Sequence, residues 1–215
     1  MRDDAGPPAE TDGGGAGAGR TIAIRRLVTA DAPWVAVALA ELWGGSVIVS
    51  PSGARDAAAL PGFVAEWEDA PGATIGLVTY EIVRAGCEVV TLNSFAPGQG
   101  VGTALLERVR LAALVAQCRW LALVTTNDNT PALRFYQRRG WDIVALHRNA
   151  LAEWRTSKLP IPEVGIDGIP LRHLIQLELP LEPEEDFDRP PPLLVRRRPA
   201  KVPTRRRPGG GGGGG

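Results

Sequence analysis

The period of apolar and polar positions changes several times along the chain, and each change marks an element. Thr21 to Leu27 alternates, with Ile22 and Ile24 on one side, which predicts a first strand. Thr29 or Asp31 then caps a helix running through Pro33 to Trp43, where Val35, Leu39 and Leu42 fall at helical spacing. Phe63 to Trp67 and Thr74 to Val83 read as two strands of a hairpin turning at Asp69-Ala70-Pro71-Gly72, and Cys87 to Asn93 as the next strand. From Thr103 to Gln117 the period becomes helical, with Leu105, Val109, Ala112 and Ala116 on one face and Glu107, Arg108 and Arg110 towards water. Leu121 to Val124 is a continuous apolar run, as expected of a strand covered on both faces. A short aromatic helix follows, with Thr130 as N-cap, Pro131 at the first helical position and Gly140 as the left-handed residue after the last turn. Trp141 to Leu146 and the alternating Ile169 to Leu179 complete the set, the latter as the closing strand. The hairpin strands lead antiparallel into Cys87 to Asn93, and strands near Val89 and Leu123, joined by a helix, form a right-handed parallel βαβ unit, so the sheet is mixed.

Composition bounds the rest. The 215 residues allow one domain with a sizeable core plus tails, and 24 basic against 24 acidic residues give no bulk charge to select a partner. Residues 1–20 are Gly, Ala, Pro and acid without an apolar segment, and read as a disordered leader rather than a signal peptide. The domain is expected over residues 21–181. Beyond it, residues 182–215 carry an acidic patch from Glu182 to Asp188, then prolines, Arg196 to Arg198, Arg205 to Arg207 and a glycine run, and read as a solvated tail. Those arginines have no interleaved aromatics for base stacking, so nucleic acid is not expected beyond weak phosphate contact. No run is long enough to span a bilayer. Cys87 and Cys118 are the only cysteines, which argues against a disulfide framework and makes a reducing cytoplasm the default.

The candidate chemistry lies between the strand and helix at the centre of the chain. Pro97-Gly98-Gln99-Gly100-Val101-Gly102 is a glycine turn opening a helix, where unpaired first-turn amides and the positive end of the helix dipole suit an anion, phosphate above all. Neither common phosphate fingerprint fits. A Walker loop needs Gly-Lys before Ser or Thr, and Gly102 is followed by Thr103-Ala104; the dinucleotide pattern needs a third glycine where Thr103 or Leu105 stands.

Gln99 to Leu106, together with Asn129 to Ala132, Phe135-Tyr136 and Gly140-Trp141, resembles the two cofactor motifs of the GNAT superfamily of N-acetyltransferases. The resemblance runs from about Thr21 to Leu181. It implies an α/β GNAT fold: a mixed, mostly antiparallel sheet of six to seven strands with a central parallel βαβ unit and helices on both faces. It also implies direct transfer of an acetyl group from acetyl-CoA to a primary amine; a cytoplasmic monomer or homodimer is expected. By the same resemblance Leu92, Asn93, Ser94, Gln99, Gly100, Val101, Gly102, Thr103, Asn129, Ala132, Phe135 and Tyr136 hold the donor. Asn129 binds the pantetheine arm, caps the helix, or does both, and amides near Leu92 to Ser94 serve the thioester carbonyl if the strand bulges there.

Tyr136 matches the tyrosine that donates a hydrogen bond or proton to the sulfur, and Glu88 matches the position of a general base, with Glu66, Glu68 and Glu81 as weaker alternatives. A carboxylate at Glu88 could instead pair with an arginine. Trp43 to Ser46 and the loop to Leu60 would shape the acceptor pocket. One departure is Pro97, which stands where the family usually carries Arg or Gln. An acyl-cysteine route through Cys87 is disfavoured because the neighbouring Glu88 raises a thiol pKa. His147 and His173 are not spaced as metal ligands, so no metal is expected. The reading from a different class is a GNAT-fold acyl-CoA-binding module in which Pro97 and a non-catalytic Glu88 mark lost chemistry.

Overall fold

A computed structural model of the chain describes residues 20–156 and 161–181. The expected leader up to residue 19, the expected tail 182–215 and Lys158 of the polar stretch lie outside the described residues. The order of elements is β1 (Ile22–Arg26), α1 (Ala32–Trp43), β2 (Val47–Ser50), β3 (Gly53–Asp56), β4 (Gly62–Trp67), β5 (Ala70–Val83), β6 (Gly86–Ser94), α2 (Val101–Val115), β7 (Trp120–Thr126), α3 (Thr130–Gln137), β8 (Asp142–His147), α4 (Ala150–Thr156) and β9 (Leu174–Pro180). Seven strands form one sheet in the order β1-β4-β5-β6-β7-β9-β8, antiparallel everywhere except between β6 and β7. The expected mixed sheet with a parallel βαβ centre is therefore what the chain forms.

The two sheet faces bury different sets of side chains. On one face α2 and α3 pack Val101, Leu105, Val109, Ala113 and Tyr136 against Val78, Val89, Leu121, Leu123 and Leu177. On the other, Val35 and Leu39 of α1 meet Val64 and Leu77, and Leu151 of α4 meets Leu174 and Val124. Helices thus cover both faces, as hydrophobic alternation along β4 to β7 requires.

Several local expectations need correction. Leu42 is exposed although it lies at helical spacing from Leu39, because the core stripe of α1 stops one turn earlier. Asp31 does not cap that helix through its side chain; its carboxylate reaches back to the Val28 amide and pairs with Arg25. In α2 the stripe continues through Ala113 rather than Ala116, which is exposed beyond the last helical residue. The β4–β5 turn is tighter than Asp69 to Gly72, since β5 already begins at Ala70. Ile169 to His173 is not strand: Asn127 accepts the amides of Arg172 and His173 at 2.9 and 2.8 Å and donates to Pro170 O at 3.0 Å, taking the groups a ladder would need. The loop from Gly44 to Leu60 contains the separate hairpin β2–β3, and α4 occupies part of the polar stretch after β8.

One close approach fixes where α2 sits. A Cβ on Gly76 of β5 would lie 2.5 Å from Val101 Cγ1, 2.9 Å from Leu105 Cδ1 and 3.0 Å from Asn93 O. Overpacking of this kind costs about 1–3 kcal/mol. Gly76→Ala is therefore expected to lower unfolding stability by that amount in urea titration and to loosen the first turn of α2; an unchanged midpoint would show that α2 is not seated on Gly76.

Candidate active site

The parallel ladder between β6 and β7 is short. It pairs Gly86 to Val89 with Trp120 to Leu123 and goes no further, although β6 continues to Ser94 and β7 to Thr126. The cause lies on the other edge of β6, where Tyr80 pairs with Val89 and Thr79 with Thr91, leaving Val90 as an extra residue. Such a bulge bends the strand that carries it. The bulge is at Val90, not at Leu92 to Ser94 as the sequence reading required for its carbonyl-binding amides. Beyond it β6 and β7 diverge and leave a wedge between them.

Hydrogen-bond alternation shows which main-chain groups face that wedge. Phe95 donates to Ile75 O at 2.8 Å, so two residues back the backbone of Asn93 also turns to β5 and those of Leu92 and Ser94 turn away from it. On the far side Asn127 donates to His173 O, which by the same alternation turns Thr125 towards β9 and Val124 towards the wedge. Val124 is a wedge residue that the sequence reading did not single out. Leu92 packs its side chain into the core, and Asn93 Oδ1 lies 3.4 Å from Trp43 Nε1.

The glycine turn stands at the mouth of the wedge. Gly100 is the N-cap of α2 with φ 79°, a conformation that glycine adopts without strain, and a Cβ there would meet nothing. Gln99 donates to Ala96 O at 3.4 Å, and Gly100 O accepts from Ala104 at 3.0 Å. Among the described residues the amides of Gly100, Val101, Gly102 and Thr103 have no protein acceptor. They form an array suited to an anion. A Cβ on Gly102 would lie 3.2 Å from Cζ of Phe135, so this glycine also lets α3 pack closely on α2.

α3 is locked to this turn and to β7. Asn129, not Thr130, is the N-cap, its side chain accepting from the Ala132 amide at 3.2 Å, and Pro131 occupies the first turn. Gly140 has φ 79° and follows the helix as expected. Tyr136 is 8 % exposed, set between Phe135 at 5.1 Å edge-on and Trp141 at 5.5 Å, and none of the described residues accepts from its hydroxyl. Burial pushes its phenol well above the usual tyrosine range, so the hydroxyl stays protonated at neutral pH. Arg139 stacks on Phe135 and donates to Thr103, a link between α3 and α2 that the sequence did not suggest. Arg139 lies in the turn just after α3, one helical repeat beyond Phe135, close enough for its guanidinium to reach back over the ring.

Glu88 lies on the opposite sheet face, paired across β5 with Glu81. Its Oε1 accepts from Ser50 Oγ at 3.1 Å; Oε2 accepts from Ser52 Oγ at 2.7 Å and Arg55 Nη2 at 3.0 Å. Arg55 also pairs with Glu81 and donates to Ser50 Oγ. The hairpin β2–β3 is thereby clamped over Glu88, with the Arg55 and Glu88 side chains 12 % and 14 % exposed. The sequence reading passed over Ser50, Ser52 and Arg55, although Val47-Ile48-Val49 followed by Ser52-Gly53 carries a hairpin signal. Of the weaker carboxylates, Glu66 pairs with Arg25 and accepts the Gly72 amide, far along the sheet from the wedge. His173 Nδ1 accepts the Asn149 amide.

The family model of the acetyltransferase (GNAT) family matches residues 39–141. The uncharacterized protein YdhI of Bacillus subtilis is 41% identical over 133 residues, which are 62% of this chain and 82% of that protein. The chain belongs to the GNAT acetyltransferase family. Solved structures share the fold at lower identity. A GNAT family acetyltransferase from Elizabethkingia anophelis with acetyl-CoA bound superposes with a TM-score of 0.52 at 20% identity, covering 74% of this chain and 97% of that one. The putative acetyltransferase yncA from Salmonella typhimurium with its cofactor acetyl-CoA gives 0.54 at 17%, covering 78% and 98%.

Within this GNAT domain the two cysteines are buried, and burial, with Cys118 and Glu88 adding to it, pushes the Cys87 thiol up to about 12. A thiol raised that far stays protonated at pH 8, and the thiolate is the nucleophile. The native protein is expected to leave Cys87 unlabelled by a disulfide reagent at pH 8 and to release that thiol only in denaturant. Rapid native labelling at Cys87, read by mass spectrometry, would reopen the acyl-cysteine route.

Proposed function

We propose that this GNAT protein transfers an acetyl group from acetyl-CoA directly to a primary amine. The observation that carries the proposal is the pairing of a free amide array at Gly100 to Thr103 with a wedge whose edges offer Leu92, Ser94 and Val124. Those groups fit an extended donor whose pyrophosphate end is anionic and whose pantetheine arm carries amides. Gly100 to Thr103 hold the phosphates, Leu92, Ser94 and Asn129 the arm, and Ala132 and Phe135 line it; the Gln99 amide, which donates to Ala96 O, and the Asn93 main chain, which turns to β5, have no part in it. The donor supplies an acyl thioester; everything else is done by residues of this chain.

An aliphatic ammonium of pKa about 10 must lose its proton before it attacks. Glu88 is assigned to receive it. A carboxylate has about four acceptor sites and three are taken here, which leaves one on Oε1 for the acceptor or a bridging water. Ser50, Ser52 and Arg55 fix the direction of that site. Tyr136 is assigned to the sulfur. Its raised phenol argues for a hydrogen bond to the developing thiolate rather than complete proton transfer, since the phenol is a weaker acid than the thiol it would protonate. Trp43 and the hairpin β2–β3 border the acceptor side.

Release of CoA above background with a panel of amines, each product checked by a 42-dalton mass shift of about one acetyl group, tests the activity. CoA binding without turnover across the panel would favour a binding module instead. Tyr136→Phe is expected to lower turnover about 10- to 100-fold, the worth of one charge-assisted hydrogen bond, with CoA affinity nearly unchanged. Glu88→Gln is expected to lower turnover about 100- to 10,000-fold, the usual contribution of a positioned general base. A wild-type rate in either variant would remove the respective residue from the mechanism.

A further inference from the structure

The turn that faces the phosphates has no cationic side chain of its own, because Pro97 precedes it and Gln99 is neutral. A cation nevertheless stands beside it. Arg139, exposed in the turn that follows α3, donates through Nε and Nη2 to Thr103 Oγ1 at 3.0 and 2.6 Å, and through Nη1 to Phe135 O at 2.8 Å. Its guanidinium carbon lies 3.7 Å from the centroid of the Phe135 ring. That ring in turn rests where Gly102 has no Cβ. Arg139 is thus fixed in place by a hydroxyl, a carbonyl and an aromatic face, none of which neutralises it, and no carboxylate among the described residues pairs with it.

A role confined to helix capping accounts for the bond to Phe135 O, a last-turn carbonyl. It does not account for two bonds to a hydroxyl on another helix. Those bonds occupy the lone pairs of Thr103 Oγ1, so the hydroxyl proton is left to be donated outward, beside the Thr103 amide that has no acceptor. A guanidinium has five N–H donors, three are used, and two remain. Two N–H groups of Arg139, the Thr103 hydroxyl and the free amides that open α2 are therefore neighbours through the Arg139–Thr103 contact, and all of them are donors. Their natural complement is a group with many acceptor oxygens and negative charge.

We infer that Arg139 is a donor-binding residue that grips the pyrophosphate of acetyl-CoA together with the Thr103 hydroxyl, supplying from the turn after α3 the cation that the glycine turn lacks at Pro97. The inference rests on the acetyl-CoA reading above. It assigns α3 and the turn after it two tasks, one at each end of the donor: Tyr136 at the sulfur and Arg139 at the phosphates.

The test is calorimetric binding of CoA, dephospho-CoA and pantetheine to the full chain and to Arg139→Gln and Arg139→Ala. Gln retains a flat amide over Phe135 and a donor for Thr103, so it separates charge from packing. Both variants are expected to bind CoA and dephospho-CoA about 10- to 100-fold more weakly, with pantetheine changed less than about 2-fold, and to show a shallower salt dependence of CoA affinity. Unchanged CoA affinity would overturn the inference. So would an equal loss for pantetheine, which marks a packing role, or a loss for CoA but not dephospho-CoA, which moves the contact to the 3′-phosphate. Wild-type protein that binds none of the three would overturn the acetyl-CoA reading itself.

Discussion

The extra residue at Val90 is the constraint from which the rest of the site follows. Without it β6 would stay in register with both neighbours, and the parallel ladder that runs from Gly86 to Val89 would continue to Leu92 opposite Thr126, the end of β7. With it, Val90 packs against the face covered by α1 while the next residue, Thr91, is also turned to that face, where its hydroxyl meets that of Thr79 at 2.8 Å with both residues buried. That hydroxyl pair specifies the register on the far side of the bulge. A neutral hydrogen bond contributes only about 1 kcal/mol net, but leaving either buried hydroxyl alone costs about 1–3 kcal/mol, so a slip of one residue is opposed. Divergence of β6 from β7 is then a consequence of strand geometry, and the main-chain groups of Leu92, Ser94 and Val124 are left for something other than protein.

The glycine turn shows how one residue type answers two demands. Gly100 is needed for its positive φ, which turns the chain into α2 and leaves the first amides pointing outward; space around it is open. Gly102 sits in ordinary helix with the Phe135 ring close against it, so that a Cβ there would come within 3.2 Å of Cζ. A motif read only as phosphate-binding therefore also contains a helix–helix contact. This contact joins the two cofactor motifs physically: Phe135 sits against Gly102, Arg139 sits on Phe135, and Thr103 receives Arg139. Exchange at any of these positions acts on both helices at once.

Periodic segments were legible in the sequence because their burial is set by the sheet: β1, β4 to β8, α1 and α2 lie within a few residues of where alternation and helical spacing put them. What was not legible has identifiable causes. Ile169 to His173 alternates like strand, yet a side chain 45 residues away, Asn127, satisfies its amides first. Thr130 and Asn129 are both accepted N-cap types, Asn the better of the two, and it is the Asn129 side chain that takes the Ala132 amide. The hairpin β2–β3 was missed because its strands have four residues each and its stability comes from Arg55, whose partners Glu81 and Glu88 are remote in the chain. Glu88 is singled out by its position on the strand and by the family resemblance, and its three donors come from a segment that the sequence reading takes as a loop, so the sequence indicates a candidate carboxylate without showing how it is held.

The placement of the two assigned proton-handling groups on opposite faces of the sheet has a physical rationale. Glu88 stands with α1 and the hairpin, among serine hydroxyls and a guanidinium; Tyr136 stands with α2 and α3, among aromatic rings. The first environment suits a group that must accept a proton from a solvated ammonium, because it is polar and has one acceptor site left. The second keeps a phenol neutral and so preserves a donor for an anion that forms only when the thioester breaks. Had both lain on one face, either the carboxylate would be drawn into an apolar core, where its charge is costly, or the phenol would face water that competes for the same hydrogen bond. The wedge between β6 and β7 is the place where the sheet itself does not separate the two faces, and a thioester lying there would meet the amine from one side and the phenol from the other.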